Sequence, residues 1–475
     1  MSDQDWRGRK VTVAGLGVSG VPAARALREL GAEVTVVSDG DDERSRGQAA
    51  ELEALGVTVR LGDGATLPGS TELVVTAPGW KPDKPLFRAA AEAGVPVWGD
   101  VELAWRLRGL DGRKPAPWLA VTGTNGKTTT VRMLASILEA AGLRTAAVGN
   151  IGVSLLDAVL GDEPYDVLAV ELSSYQLHWS PSVRAHSGAV LNLAPDHLDW
   201  HGSMAAYTAD KGRIYEGNQV ACVYNAADPA TEDLVREADV EEGCRAVGFT
   251  LGAPGPSQLG VVDGILVDRA FVANRQKQAQ ELAEVADVRP PAPHNIANAL
   301  AAAALARSFG VPPTAVRDGL RSFRPDPHRI EHVADLDRVA YVDDSKATNT
   351  HAAEASLAAY EPIVWIAGGL AKGATFDDLV AGAARRLRGV VLMGADRALI
   401  GEALARHAPE VPVVDLDRTD TGAMSEAVRE AARLARPGDT VLLAPACASM
   451  DMFVNYNKRG EAFADAVRAR AAESA

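Results

Sequence analysis

The sequence predicts an α/β protein of three domains. These are a Rossmann-like N-terminal domain (residues 1–113), a central parallel-sheet domain of the phosphate-loop type (114–326) and a Rossmann-like C-terminal domain (327–475). Three observations carry this. Short β-branched runs alternate with Ala/Leu-rich helical runs through most of the chain, the rhythm of parallel sheets. Two glycine-rich turns, at 15–20 and 123–129, each join such a run to a helical stretch. Two proline-rich breaks divide the chain, at 110–117 and at Arg324-Pro325-Asp326-Pro327, because each Pro fixes φ and blocks helix.

At 475 residues the chain can bury several separate cores. Hydrophobic residues make up 47% and charged residues 23%, as in ordinary soluble globular proteins. The formal net charge of −15 argues against a nucleic-acid partner, although local lysines and arginines can still receive a small anion. Cys222, Cys244 and Cys447 form neither a metal pattern nor a disulfide framework, which suits a reducing compartment. The first ten residues are polar and lack a signal-peptide core. No apolar run reaches the roughly 18 residues that span a bilayer. A cytoplasmic setting is expected.

In the N-terminal domain, strands are expected at 11–14, 34–37 and 74–76. Gly15-x-Gly17-x-x-Gly20 follows the first strand and opens a helix, and Asp39 ends the second strand where a ribose contact would fall. Such a turn recognises a diphosphate through backbone N–H groups. A dinucleotide and a UDP-sugar both carry one, so an NAD-dependent oxidoreductase stays open at this point.

In the central domain, a strand at 118–121 leads into Gly123-Thr124-Asn125-Gly126-Lys127-Thr128-Thr129 and a helix at 131–141. Strand, Gly-rich turn, Lys-Thr and helix is the build of a phosphate-binding loop. Lys127 would reach the outer phosphates, and the Thr128 hydroxyl would join a Mg²⁺ shell. Only Thr124 and Asn125 separate the two glycines, fewer than in the usual loop. Glu171 ends the strand at 165–170, where it could hold Mg²⁺ beside Thr128. A plain cap by Ser173 or a salt bridge by Glu171 fits the same residues. A strand at 189–191 precedes Asn192-Leu193-Ala194-Pro195-Asp196-His197-Leu198-Asp199, whose His197 suits a second divalent ion. Lys211 reads as a solvated helical lysine. The Gly/Pro-rich pieces around 251–266 suggest a small side sheet. Asn295 and Asn298 share one face of an Ala-rich helix at i, i+3.

In the C-terminal domain, strands are expected at 363–366, 390–393 and 440–443. Three polar loops follow strands: Asp343-Asp344-Ser345-Lys346-Ala347-Thr348-Asn349, Gly368-Gly369-Leu370-Ala371-Lys372-Gly373 and Pro445-Ala446-Cys447-Ala448-Ser449-Met450-Asp451. They would form one rim of a sheet. Lys346 and Lys372 there suit a dicarboxylate, or they are solvated surface lysines.

With these loops in this order, the chain resembles the Mur ligase family of ATP-dependent amide-bond-forming enzymes, most closely its D-glutamate-adding branch. The resemblance runs from Gly15 to about Phe463. It implies that the N-terminal fingerprint is a UDP site, with Gly17, Val18, Ser19, Asp39 and Gly79 around uridine and diphosphate. Asn150, Ser173 and Gln176 would line the rest of a UDP-N-acetylmuramoyl-L-alanine substrate. The loop Gly123, Thr124, Asn125, Gly126, Lys127, Thr128 and Thr129 would bind ATP, with Asn298, Arg329 and Asp344 at its base and ribose. Two Mg²⁺ are implied, Thr128 and Glu171 being ligands of one and His197 of the other, with Lys211 present as a carbamate. Lys127, His197 and Lys211 would be the catalytic residues. Lys346, Thr348, Lys372, Ser449 and Tyr456 would form the D-glutamate pocket. Three positions depart from the family: no arginine follows Asp39, Trp200 stands where Arg is common, and Tyr456 where Phe is frequent.

The implied reaction passes the ATP γ-phosphoryl to the L-alanyl carboxylate, giving an acyl phosphate that the D-glutamate amine attacks, in peptidoglycan precursor synthesis. ATP would lie between the second and third domains, with Arg324-Pro325-Asp326-Pro327 a candidate hinge. The expected partners are small molecules only, and the expected state is a monomer. A ligase of the same family with a different acceptor is a further reading, separated from the first by the Lys346 and Lys372 loops.

Overall fold

The computed structural model describes residues 5–474 except 111 and 113. The start of the N-terminal segment and part of the break at 110–117 therefore lie outside the described residues. The chain forms two compact units. One runs to Val288 and includes Ala297–Phe323; the other comprises Arg289–Ile296 and everything from Arg324. The chain thus passes between the units three times, and the helix Pro293–Ser308 begins in one and ends in the other. No helix is long and apolar enough to cross a membrane among the described residues.

The first unit holds two sheets. β1 (Lys10–Ala14), β2 (Glu33–Ser38), β3 (Thr58–Leu61), β4 (Leu73–Thr76) and β5 (Val97–Gly99) form a sheet in the order β3-β2-β1-β4-β5. Every pairing in it is parallel. The order reverses between β1 and β4, and a crevice opens at the carboxyl ends of such a pair. The glycine turn after β1 and the 77–80 segment after β4 flank that crevice.

The second sheet contains β6 (Trp118–Thr122), β7 (Ala147–Gly149), β8 (Leu168–Glu171), β9 (Ser187–Val190), β10 (Ala221–Asn225), β11 (Arg245–Phe249), β12 (Gln258–Val262), β13 (Ile265–Asp268) and β14 (Gln280–Glu284). Their order is β14-β13-β12-β11-β10-β9-β6-β8-β7. β6, β8 and β9 are buried at every position, as strands covered on both faces must be. The expected side sheet around 251–266 is not separate. β12 joins β11 by a short parallel ladder, Gly248↔Gln258 and Phe249↔Leu259, and so extends the main sheet. Asp263-Gly264, both at positive φ, then turn β12 back as a tight hairpin.

The second unit holds β15 (Glu331–Leu336), β16 (Val339–Asp343), β17 (Ile363–Ala367), β18 (Leu387–Leu392), β19 (Val413–Asp415) and β20 (Thr440–Leu443), ordered β15-β16-β20-β17-β18-β19. β15 is an antiparallel edge; the other five strands run parallel. β20 lies between β16 and β17, so the three predicted polar loops leave one edge side by side. Asp344 N donates to Leu443 O at 2.8 Å, Gly368 N to Pro445 O at 2.9 Å, and Ala446 N to Ala347 O at 2.9 Å.

Candidate active site

The site is assembled around β6, which has β8 on one side and β9 on the other. After Thr122 the chain turns through Gly123 (φ 151°) and Gly126 (φ 84°) into the helix Lys127–Ala140. A Cβ at Gly126 would collide with the Asn298 side-chain oxygen, so close approach and backbone conformation both require glycine. No side chain caps the helix start. A helix start of this kind, opened by glycine, is suited to an anion.

The loop is stitched to the segment after β9. Thr124 N donates to Asn192 O at 3.0 Å and Asn125 N to Asn192 Oδ1 at 2.8 Å, while Asn192 Nδ2 donates back to Asn125 O at 3.1 Å. Thr124 Oγ1 also accepts from Ala194 N at 3.0 Å and lies 3.0 Å from the Tyr207 hydroxyl. The Lys127 ammonium folds back onto the Gly123 and Thr124 carbonyls at 2.9 Å each.

Two ionisable side chains are buried beside this loop. Glu171, 2% exposed, accepts from Asn150 Nδ2 through Oε1 at 3.1 Å. Its Oε2 is buried with no partner. Lys211 is not the solvated lysine that its sequence context suggests. It is 2% exposed and donates to Gly123 O at 2.8 Å. Its Nζ lies 4.7 Å from the Tyr207 ring centre, and among the described residues it has no ion-pair partner. Burial pushes its pKa well below the ordinary lysine value; the Lys127 ammonium adds to this, and Asp196 and Glu171 oppose it.

The helix that carries Lys211 is pinned by its neighbour Asp210. Its carboxylate receives the Nδ1 atoms of His178 and His201, each at 3.0 Å. His201 Nε2 meets Ser174 Oγ at 2.9 Å, which closes the network onto the segment after Glu171. His197 (φ 53°) starts the short helix Leu198–His201, with Nε2 3.5 Å from Asp196 and its ring 4.9 Å from that of Tyr175.

The crevice of the first sheet lies in the same unit. Ser19 Oγ donates to the Asp100 carboxylate at 2.8 Å. Asp39 pairs with Lys84, whose Nζ lies 4.3 Å above the Trp80 ring. Trp200 Nε1 donates to Gly79 O at 3.1 Å, and Lys81 Nζ donates to Asp199 O at 2.6 Å. Two bonds thus join this crevice to the His197 segment. Val18 is 87% exposed beside it.

Comparison with known proteins places these loops. The Mur ligase middle domain matches residues 121–306, and the Mur ligase glutamate ligase domain matches 328–447. The UDP-N-acetylmuramoylalanine--D-glutamate ligase of Streptomyces coelicolor is 84% identical, over 98% of each chain. That of Thermobifida fusca is 62% identical, over 98% of this chain and all of its own. The chain belongs to the Mur ligase family. Among solved structures, a MurF ligase from Thermotoga maritima aligns at a TM-score of 0.59 and 16% identity over 99% of this chain and 100% of its own. A UDP-N-acetylmuramate-alanine ligase from the same organism aligns at 0.55 and 19%, over 97% and 99%.

In this Mur ligase, Gly123 to Thr129, Glu171, His197, Lys211 and Asn298 come together around β6. Ser173 and Gln176 spend polar groups on each other, in a capping box at the start of the helix Ser174–His178. In the second unit, Asp344 accepts from Ile330 N at 3.3 Å and from Ser356 Oγ; burial pushes its pKa up to about 6. Arg329 Nε lies 3.8 Å from Asp326. Lys346 Nζ sits 3.9 Å from the Tyr456 ring centre. Ser449 is buried, and Lys372 is exposed at positive φ. Arg459, in the run Asn457–Gly460 that the resemblance includes, is 1% exposed and organises this rim by donating to Ser345 O at 2.9 Å and Cys447 O at 3.0 Å. Lys84, Asp100 and Asp210 were silent in the sequence, because each acts on a partner remote from it along the chain.

Proposed function

We propose that this chain is an ATP-dependent amide-bond-forming ligase that adds D-glutamate to UDP-N-acetylmuramoyl-L-alanine, acting as a cytoplasmic monomer in peptidoglycan precursor synthesis. The full-length identity with ligases of that name carries the reading. A carboxylate cannot condense with an amine directly at neutral pH, because hydroxide is a poor leaving group. The γ-phosphoryl of ATP therefore passes to the L-alanyl carboxylate. The D-glutamate amine attacks the acyl phosphate, and phosphate leaves from a tetrahedral intermediate.

Both first reactants are anionic, so the site must gather positive charge. The N–H groups at the start of the helix Lys127–Ala140 and the Lys127 ammonium supply part of it. The unpaired, buried Glu171 oxygen is the observation that fits a divalent cation. Thr128 and Glu171 would hold one Mg²⁺ and His197 a second, supplying charge neutralisation where phosphate meets carboxylate. Lys211 is the candidate carbamate. Burial favours the neutral amine, the form nucleophilic toward CO₂; on carbamylation the N–C bond forms, a proton leaves, and the buried group becomes an anion that a metal accepts.

We assign the uridine diphosphate to the crevice beside Gly17, Val18, Ser19, Asp39 and Gly79, and the remainder of that substrate to Asn150, Ser173 and Gln176. Arg329 and Asp344 are assigned to the nucleoside of ATP. Lys346, Thr348, Lys372, Ser449 and Tyr456 are assigned to D-glutamate. Lys84 supplies the cation that the loop after Asp39 lacks. Lys84→Met is expected to raise KM for UDP-N-acetylmuramoyl-L-alanine about tenfold, the size of one charge-assisted hydrogen bond, and to leave kcat and the KM for ATP unchanged. An unchanged KM would remove Lys84 from substrate binding. The reading as a whole is tested by phosphate release from ATP with UDP-N-acetylmuramoyl-L-alanine, comparing D-glutamate, L-glutamate and other amino acids. Release that depends on D-glutamate supports it; release with another acceptor keeps the ligase and discards the pocket.

A further inference from the structure

The first unit has an open cleft away from these loops, lined among others by Arg108, Lys114, Glu163, Trp118, Tyr165 and Leu168. Trp118 opens β6, while the phosphate loop follows the far end of that strand, roughly 16 Å away at the usual rise per residue. The cleft is thus separate from the reacting groups and yet rests on the strand that carries them.

Two donors in its lining are unmet. Trp118 is 1% exposed, and its indole Nε1–H is buried without an acceptor. The ring meets Trp105 edge-on at 4.9 Å, and the Arg108 guanidinium stacks 3.1 Å over the Trp105 ring. Arg108 Nε is also buried without a partner, and among the described residues no carboxylate pairs with this guanidinium. Burial pulls the Arg108 pKa down to about 10, as expected for a cation desolvated without compensation. Two buried donors left unsatisfied at one cleft are rare in a native interior and costly to keep. A second cation, Lys114, lies on the same wall, and Leu168, Tyr165 and the Trp118 ring give an apolar floor.

We propose that this cleft is a second ligand site, which takes a small flat carboxylate. Its anionic head meets Arg108, Lys114 and the Trp118 N–H, and its apolar body lies on the floor. An anion with two or more acceptor oxygens is the ligand class that Arg108, Lys114 and the Trp118 N–H call for together, and an aromatic body matches the apolar lining; neither a neutral ring nor a bare methyl carboxylate offers both.

The test is saturation-transfer NMR on the full chain with benzoate as probe, with benzyl alcohol and acetate as comparators. Saturable benzoate binding is expected, unaffected by saturating ATP, with much weaker binding of both comparators. Arg108→Met should weaken it about tenfold, with D-glutamate-dependent phosphate release retained as evidence of folding. Lys114→Ala, on the rim, provides a second variant should Arg108→Met fail to fold, and should weaken binding as well. Trp118→Phe removes the N–H together with part of the ring, and should weaken benzoate more than benzyl alcohol. Absence of saturable binding to the unaltered chain, benzyl alcohol binding as well as benzoate, or unchanged benzoate binding in the folded charge variants would each overturn the proposal.

Discussion

Lys211→Ala is expected to lower D-glutamate-dependent phosphate release about a thousandfold, the scale seen when one preorganised electrostatic group is removed from a site. The cause lies in where the amine sits. It is 2% exposed, its hydrogen bonds run to Gly123 O and Thr122 Oγ1, and burial pushes its pKa well below the ordinary lysine value. The proposed carbamate would form on this amine, beside the phosphate loop. Two further results follow if this is right. Activity of the unaltered enzyme falls when dissolved CO₂ is stripped and returns with bicarbonate. Formate or acetate, small enough to enter the space left by the side chain, partly restores Lys211→Ala but not Lys211→Met, which fills it. Full activity in Lys211→Ala would remove the lysine from the mechanism. Loss without rescue would leave it a structural tie to the loop.

Glu171→Gln should lower kcat about a hundredfold or more and raise the Mg²⁺ concentration needed for half-maximal rate, because the amide presents one oxygen and no charge. The same change should raise the melting temperature. Glu171 is buried at the end of β8 with Oε2 unpaired, so without a cation that oxygen is desolvated with no hydrogen bond in return. Activity and stability are therefore expected to move in opposite directions, as at other sites held in an unfavourable state for function. A thermal shift assay with and without Mg²⁺ separates the cases. Added Mg²⁺ should stabilise the unaltered chain more than the variant. Equal stabilisation of both would place the ion elsewhere.

Much of this was legible in the sequence, and the reasons are local. A strand such as β17 announces itself because all of Ile363–Ala367 is buried and apolar, and the loop after β6 because its backbone demands glycine at Gly126. The cap at Ser173 is a four-residue pattern with Gln176, readable without any tertiary knowledge. Lys211 was not readable in this way, because its burial is created by Gly123, 88 residues earlier. The pairing of Lys84 with Asp39 likewise spans 45 residues and leaves no local trace. The hairpin at β12 and β13 was visible as strands, but its attachment to the main sheet rests on two residue pairs, which no periodicity encodes. Local chemistry specified the loops, and distant packing decided which charges in them stay neutral or unpaired.

The interleaving of the two compact units has a consequence for anyone who would cut the gene. A fragment that begins at Arg324 omits Arg289–Ile296, although those residues belong to the unit it encodes. Ala292 is part of that unit's apolar core, together with Ile330, Val342 and Ala353. His294, at the start of the helix Pro293–Ser308, engages the backbone of Ala355. The excised piece would open a hole in its own interior, and the remainder would carry Arg289–Ile296 without the unit it packs in. Neither half is a free-standing module, so swapping this unit between related enzymes calls for two grafts, one of them eight residues long.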